Sequence, residues 1–277
     1  MSAMESHPVA VPRTAVGWRF GPTAVVTAAA LVATAWLVLT PSGLLGKADA
    51  VGYAVCHRID LRSFHLGTRA LPLCARCTGM YLGALVGIVG LTALGRGRHG
   101  GFPRPALLGL MGLAAAAWAV DGLNSYLTLI PGAPHPYQPN NVLRLVTGTL
   151  LGMSLGVVVL AGFNQNAWRA WNPEPIAAFR EAGILLAAAA VVVALVLSGN
   201  PLVLYPLALL SAAGVLTVLT LVYAVVAMIV SRRENRADSW SALILPATAG
   251  LGAGLLQIAL LAAARLALTG TWGGFAL

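Results

Sequence analysis

The segment TGMYLGALVG, Thr78–Gly87, repeats its spacing at Thr147–Gly156, where the chain reads TGTLLGMSLG. Both segments follow the frame T-G-x-x-x-G-x-x-x-G. Glycines four residues apart line one face of a helix and let a second backbone approach closely within a membrane. The two segments belong to the second and fourth of the seven apolar runs described below, and the pattern predicts that these two membrane spans pack together. It also suggests a duplicated helix pair, formed by spans 1–2 and 3–4. Because small-residue spacing of this kind is common in membrane helices, a chance match is the alternative.

The rest of the chain is too hydrophobic for a soluble protein. Of its 277 residues, 58% are hydrophobic and 9% are charged. A hydrocarbon core about 30 Å thick requires roughly 20 apolar residues per helix. Runs of this kind lie near 23–40, 78–95, 106–130, 143–162, 181–199, 202–230 and 241–268. The sequence therefore predicts an all-α, polytopic integral membrane protein with about seven transmembrane helices.

The predicted organisation has four parts. Residues 1–22 form a cytoplasmic N-terminal tail, residues 23–165 a four-helix core with a Cys/His loop, residues 166–180 a cytoplasmic connection, and residues 181–277 a three-helix extension. The first apolar run exceeds the ~7–15 residues of a signal-peptide core. An uncleaved first helix is therefore expected, although Ala48-Asp49-Ala50 resembles a cleavage site.

The distribution of basic residues predicts the orientation in the cell membrane. Arginines occur in the N-terminal tail and in the second, fourth and sixth connections, at positions 13, 19, 96, 98, 104, 169, 180, 232, 233 and 236. The positive-inside rule places these segments in the cytoplasm, and it places the first connection outside. That connection nevertheless carries one lysine and four arginines: Lys47, Arg58, Arg62, Arg69 and Arg76. Basic residues on the unexpected side indicate a site in that connection.

All three cysteines lie in this first connection. Cys56-His57 is followed by Cys74-Ala75-Arg76-Cys77, and three thiols with one imidazole match the Cys₃His pattern of zinc. Neighbouring side chains tend to diverge, so His65 is a rival to His57 as the fourth ligand. C-x-x-C is also the redox pair of thiol–disulfide enzymes, for which Cys56 would act as a relay thiol. An odd number of cysteines suits a metal or a relay better than a static disulfide framework.

The stretch Cys56–Gly83, CHRIDLRSFHLGTRALPLCARCTGMYLG, resembles the signature of an uncharacterised family of bacterial and archaeal membrane proteins, domain of unknown function 2085. The resemblance continues through DGLNS, Asp121–Ser125, and NNVLRLVTG, Asn140–Gly148, and it covers about residues 50–160. Where the family has a glutamine after its Asp-Gly step, this chain has Asn124 and Ser125. The resemblance implies a membrane protein and supplies no established activity.

A second set of polar residues is expected at the same surface. A carboxylate at membrane depth costs on the order of 3 kcal/mol unless it is paired. The simplest prediction is therefore an Asp121–Arg144 pair that locks two helices together. In the functional alternative, Asp121, Asn141 and Arg144 form a catalytic group beside the metal. The predicted substrate-binding residues are Arg58, Arg62, Arg76, Asn124 and Asn140.

Three classes of function follow from these residues. The first is an enzyme acting on an anionic, lipid-linked substrate, with zinc bound by Cys56, His57, Cys74 and Cys77 and with Asp121 as the base. The second is a thiol–disulfide oxidoreductase coupled to a membrane quinone, and the third is a metal-braced transporter or scaffold. The chain has no H-E-x-x-H or P-loop motif, so metalloprotease and nucleotide-driven mechanisms lack support. Membrane lipid is the expected partner, nucleic acid is not, and the sequence predicts no particular oligomeric state.

Overall fold

The computed structural model describes residues 21–274. The predicted N-terminal tail, with Arg13 and Arg19, lies almost wholly outside the described residues. Helices dominate the described part. They are α1 (Pro22–Leu39), α2 (Leu44–Val55), α3 (Ala75–Leu91), α4 (Pro105–Leu127), α5 (Asn141–Ala167), α6 (Phe179–Leu197), α7 (Pro201–Val230) and α8 (Ile244–Thr269). All except α2 are long and apolar enough to cross a membrane, which confirms the all-α polytopic fold and its seven spans.

The helix α2 was not predicted from the sequence. It has only 12 residues, and its start follows Gly43, whose φ of 78° interrupts the chain after α1. Its buried residues include Ala48, Ala50 and Tyr53. The small residues that resemble a cleavage site are therefore packed into the protein core.

Glycines form the contact between α3 and α5. A Cβ atom built on Gly83 would lie 2.2 Å from the carbonyl oxygen of Thr149, and one on Gly152 would lie 1.8 Å from that of Met80. Because Thr149 and Met80 occupy equivalent positions in the two T-G-x-x-x-G segments, the contact is reciprocal. The predicted packing of the second span on the fourth is present, and only glycine permits this backbone separation.

The remaining helices surround this pair. The helix α4 contacts α5. Both α6 and α7 lie against α3 and α5. The last helix, α8, contacts α7, α2 and α1. Gly252 of α8 approaches Ala29 of α1. The division into a four-helix core and a three-helix extension stays a prediction. The helix α1, which belongs to the predicted core, has its main contact with α8 of the predicted extension.

Short strands occur at both ends of the bundle. At the end where α3 and α5 begin, β1 (His65–Leu66) pairs antiparallel with β2 (Arg69–Ala70) and closes the cysteine loop. At the opposite end, β3 (His99–Gly101) pairs in parallel with β4 (Asn172–Pro175). We call these the cysteine end and the opposite end.

Candidate functional site: thiols and arginines at the cysteine end

The three thiols lie together. The Sγ atoms of Cys56, Cys74 and Cys77 are all within 4.8 Å of one another, and no disulfide joins these cysteines. Cys56 and Cys74 are buried, and Cys77 is partly buried. Such spacing lets three sulfurs bind one ion, or lets any two of them form a disulfide after a small movement.

Helix ends position these sulfurs. Cys56 follows the last residue of α2, while Cys74 precedes the first residue of α3 and Cys77 lies in its first turn. The backbone N–H of Cys74 donates to the Sγ of Cys56 over 3.3 Å. The positive end of the α3 dipole also favours negative charge on nearby sulfur.

The thiols differ in acidity. Hydrogen bonds from the thiols of Cys74 and Cys77 lower the pKa of Cys56 well below its ordinary value, although burial opposes this effect. The hydrogen bond to Cys56, followed by burial, raises the pKa of Cys74 to about 12. Without a metal, one thiolate at Cys56 would therefore be stabilised by two neighbouring thiols.

Neither predicted histidine ligand joins this group. The Nδ1 of His57 accepts from the backbone N–H of Ile59 over 3.1 Å, and the Nε2 of His65 lies 2.9 Å from Asp60. His65 therefore belongs to an exposed loop pair. His57 is adjacent to the thiols in sequence, but its ring nitrogens do not fall within the 4.8 Å group.

Three arginines meet at Ser125, which sequence reasoning did not select. The Ser125 backbone carbonyl accepts from Arg62 over 2.9 Å, and its Oγ accepts from Arg76 and Arg144 over 3.2 Å. We call Arg62, Arg76 and Arg144 the arginine triad. The signal available in the sequence was the serine at the end of DGLNS, four residues after Asp121.

The only carboxylate contacting the triad among residues 21–274 is Asp121. It pairs through Oδ2 with Arg76, and its Oδ1 accepts from the Tyr137 hydroxyl over 3.0 Å. The predicted Asp121–Arg144 pair is therefore wrong. The carboxylate of Asp121 pairs with Arg76, at the start of α3, and Arg144 donates to Ser125 and Asn141. The guanidinium of Arg76 also lies close to the α4 backbone, since a Cβ built on Gly122 would lie 3.5 Å from the Arg76 Nη1.

The other predicted polar residues frame the triad. Asn141 accepts from Arg144 over 2.8 Å and donates to the carbonyls of Leu61 and Ser63 over 3.3 Å. It therefore ties the start of α5 to the cysteine loop. Asn140 caps α5 by accepting from the Leu143 N–H.

Asn124 and Arg58 have different surroundings. Asn124 is buried and donates to the Tyr137 carbonyl over 2.9 Å, while its Oδ1 has no hydrogen-bond partner. Arg58 pairs with Asp49 over 2.9 Å, away from the triad contacts. The structure thus brings Asn124, Asn141 and the triad into one network and leaves Arg58 in another.

Positive charge exceeds negative charge in the network. Burial and the neighbouring charge of Arg76 lower the pKa of Arg62. Burial also lowers the pKa of His57, and the charges of Arg62, Arg76 and Arg144 act in the same direction. These influences show that the triad, His57 and the thiols share one electrostatic environment.

Arg265 of α8, which was not among the residues selected from the sequence, supports the cysteine loop. Its guanidinium donates to the carbonyls of Tyr53, Cys56 and His57 over 2.6–3.2 Å, and it lies 4.2 Å from the Tyr53 ring centroid. These carbonyls close the C-terminal end of α2. The last helix therefore contributes directly to the position of Cys56.

Comparisons with known proteins agree with the resemblance in the cysteine motif. A family model described as predicted membrane protein, DUF2085, matches residues 56–158. An uncharacterised protein of Methanocaldococcus jannaschii is 29% identical over 120 residues, which are 43% of this chain and 70% of that protein. No solved structure matches the chain. The resemblance is confirmed for the segment that carries the thiols, Asp121 and Arg144.

Proposed function

We propose that this membrane protein, which carries a DUF2085 segment, binds one zinc ion through Cys56, Cys74 and Cys77 and binds an anionic, lipid-linked molecule at the arginine triad. The observation that carries the proposal is the position of three free thiols next to three arginines with one carboxylate. The two halves of the site, the thiols and the arginine triad, have separate chemistry.

The sulfur geometry supports zinc. Sulfurs around a tetrahedral zinc ion are bound at about 2.3 Å, which places them roughly 3.8 Å apart. The three Sγ atoms lie within 4.8 Å of one another, so a contraction of about 1 Å or less would close the site. The N–H donated by Cys74 to the Sγ of Cys56 orients that ligand, as outer hydrogen bonds do in metal sites.

Three protein ligands leave one position of a tetrahedral zinc ion for another donor. Sites of this composition take water or substrate in the fourth position, whereas closed structural sites have four protein ligands. His57 is the predicted alternative; its Nδ1 accepts from the Ile59 N–H, and neither of its ring nitrogens falls within the group formed by the three sulfurs. We therefore assign the fourth position to water or to an oxygen of the bound anion, with His57 beside it.

The excess of arginine supports anion binding. Arg62 and Arg144 are buried, with exposures of 9% and 6%, and both are directed at the same serine as Arg76. Buried cations require counter-charge, because desolvation is costly. Asp121 supplies one negative charge for three guanidinium groups, and a phosphate would supply more in a geometry that arginine matches well.

The role of Asp121 in this proposal is to position Arg76. Both of its carboxylate oxygens have partners, Arg76 and the Tyr137 hydroxyl. A general base needs an oxygen that can reach the substrate's proton. The prediction that Asp121 acts as a base stays untested, and its contacts favour a positioning role.

Metal content and phosphate binding test the two halves. Mass spectrometry of the detergent-purified chain should find about one zinc per chain, lost in Cys74→Ser, with three titratable thiols after zinc removal. Inorganic phosphate should bind to the wild type, and Arg62→Gln should weaken that binding. Arg69→Gln is the control, because Arg69 belongs to the same loop and pairs with Asp49 outside the triad. Absence of zinc, or phosphate binding unchanged by Arg62→Gln, would contradict the corresponding half.

Thiol–disulfide exchange is the second candidate, because the distances between the three sulfurs suit this chemistry as well as they suit metal binding. Oxidation of Cys74 and Cys77 to a disulfide would release two electrons and two protons, which a membrane quinone would take up to become a quinol. Purified protein without zinc and with two of three thiols oxidised would favour this candidate.

The membrane side of the site is also a proposal. The arginines of the second, fourth and sixth connections lie at the opposite end. By the positive-inside rule that end is cytoplasmic and the cysteine end extracytoplasmic. A membrane-impermeant thiol reagent should label the metal-free chain in intact cells and should fail to do so if the orientation is reversed.

A further inference from the structure

An apolar groove of about 580 Å³ lies between α4, α5 and α6. Among the residues that line it are Leu107, Ala114, Ala117, Leu150 and Gly183. Neighbouring lining residues, Leu110 and Leu186, are more than half exposed, so the groove opens sideways. In a membrane such an opening faces the hydrocarbon chains of lipids.

The groove leads toward the arginine triad. It runs along α4 from Leu107 to Ala117, a length of about 15 Å at 1.5 Å per residue. Asp121, the partner of Arg76, follows Ala117 by four residues and Ala114 by seven, which places it on the same face of α4. The groove therefore ends about one helical turn, or ~6 Å, from the charged network.

We propose that the groove holds a hydrocarbon chain of an anionic phospholipid whose phosphate is bound by Arg62, Arg76 and Arg144. This inference rests on the proposed anion site and names its ligand class. Charge complementarity selects the occupant: the arginine triad beyond the Ala117 end of the groove carries more positive than negative charge, and the walls of the groove are apolar. A zwitterionic lipid would bring a positive headgroup charge close to the arginines, and a water-soluble phosphate would leave the groove to other chains.

The buried Oδ1 atom of Asn124, which accepts no hydrogen bond, lies in the same network. Asn124 is 2% exposed, and its Oδ1 has no hydrogen-bond partner in the structure. It follows Asp121 by three residues, near the point where the headgroup would enter. A hydroxyl of the lipid headgroup is a donor of the right kind to satisfy this oxygen.

Two glycine substitutions test the groove. Gly183 lines it, and a Cβ there meets nothing within 4 Å, so Gly183→Phe fills the groove without a backbone clash. Gly112 has equally open surroundings and does not line the groove, so Gly112→Phe is the matched control. Ala117→Phe, at the triad end of the groove, provides a second blocking variant.

Native mass spectrometry of the full chain, with its zinc content recorded, would compare phosphatidic acid, phosphatidylcholine and glycerol 3-phosphate. We expect phosphatidic acid to bind most tightly and Gly183→Phe to weaken it about tenfold, equivalent to excluding roughly two methylene groups. Gly112→Phe should bind as the wild type does. The affinity for glycerol 3-phosphate should be the same in the wild type and in Gly183→Phe.

The outcomes separate the groove from the anion site. Unchanged phosphatidic acid binding in both Gly183→Phe and Ala117→Phe would overturn the groove inference, as would equal binding of phosphatidylcholine. If glycerol 3-phosphate still bound and depended on Arg62, the proposed anion site would stand without the groove. If glycerol 3-phosphate binding did not depend on Arg62, the proposed anion site itself would fail.

Discussion

The two ends of the bundle treat buried charge in different ways. At the opposite end the buried carboxylate of Glu181 pairs with Arg96 over 2.9 Å and also accepts from the Ala178 N–H over 3.0 Å. At the cysteine end three arginines converge on Ser125 with Asp121 as their carboxylate. Three of the four buried charged residues in the described chain, Arg62, Asp121 and Arg144, lie at this second end.

The difference indicates which end carries the site. A buried carboxylate with one cation and one N–H donor is satisfied by the protein itself, as in a structural ion pair. A cluster with more cations than anions is costly to fold, and it is compensated only when another negative group binds. The proposed anion site is therefore at the cysteine end, where a bound anion would supply negative charge to the arginine triad.

Breaking the Arg76–Asp121 pair should have the largest effect on folding. Arg76→Leu leaves the carboxylate of Asp121, which is 1% exposed, without its cation. Loss of one partner of a buried pair destabilises a protein by about 3–5 kcal/mol. Unfolding in mixed micelles measures this cost, and a loss below about 1 kcal/mol would place the pair among weak surface contacts.

Closing the glycine contact should have the next largest effect. In Gly152→Ala the new Cβ would meet the Met80 carbonyl at 1.8 Å, so α3 and α5 must separate. Overpacking of this kind costs about 1–3 kcal/mol, and the separation should also lower zinc content, because α3 carries Cys77. Gly162→Ala is the control on the same helix, since its Cβ meets nothing within 4 Å. Equal stability of the two variants would contradict the account of the helix contact.

Removing the support of Arg265 should weaken metal binding while the protein remains folded. Arg265→Gln loses hydrogen bonds to the carbonyls of Tyr53, Cys56 and His57. Loss of a group that orients metal ligands typically lowers metal affinity about 10–100-fold. Gln257 lies on the same helix as Arg265 and accepts from the Tyr223 hydroxyl of α7. The variant Gln257→Leu removes only this contact and should leave zinc affinity unchanged. Competition with a chelator measures both variants, and equal affinities would remove α8 from the site.

The smallest effect is expected for an exposed pair at the opposite end. Arg169 and Asp238 lie 3.1 Å apart with side chains 64% and 61% exposed. Exposed pairs contribute roughly 0–1 kcal/mol, so Arg169→Ala should leave both unfolding and zinc content close to those of the wild type. A loss comparable to that of Arg76→Leu would erase the contrast between the two ends.

Local patterns predicted the parts of the structure that depend on neighbouring residues. Hydropathy gave all seven long helices, and glycine spacing gave the α3–α5 contact, because both depend on periodicity within one segment. The cysteine spacing likewise indicated the thiol group. Each of these features depends on residues that lie close together in the sequence.

The missed features depend on long-range packing. The choice of Arg76 rather than Arg144 as the partner of Asp121 depends on where the first turn of α3 lies relative to Asp121 of α4. Ser125 became a central acceptor because three arginines from different elements reach it. Arg265 is over 200 residues from the carbonyls that it contacts, and no local pattern reports such a distance.

X-ray absorption at the zinc edge of the purified full-length chain tests the central claim most directly. We expect three sulfur ligands at about 2.3 Å and one lighter ligand, nitrogen or oxygen. His57→Ala should preserve the three sulfurs and the zinc stoichiometry. Zinc without sulfur ligands, or a protein that contains no zinc and holds a Cys74–Cys77 disulfide, would contradict the claim that these three thiols form a metal site.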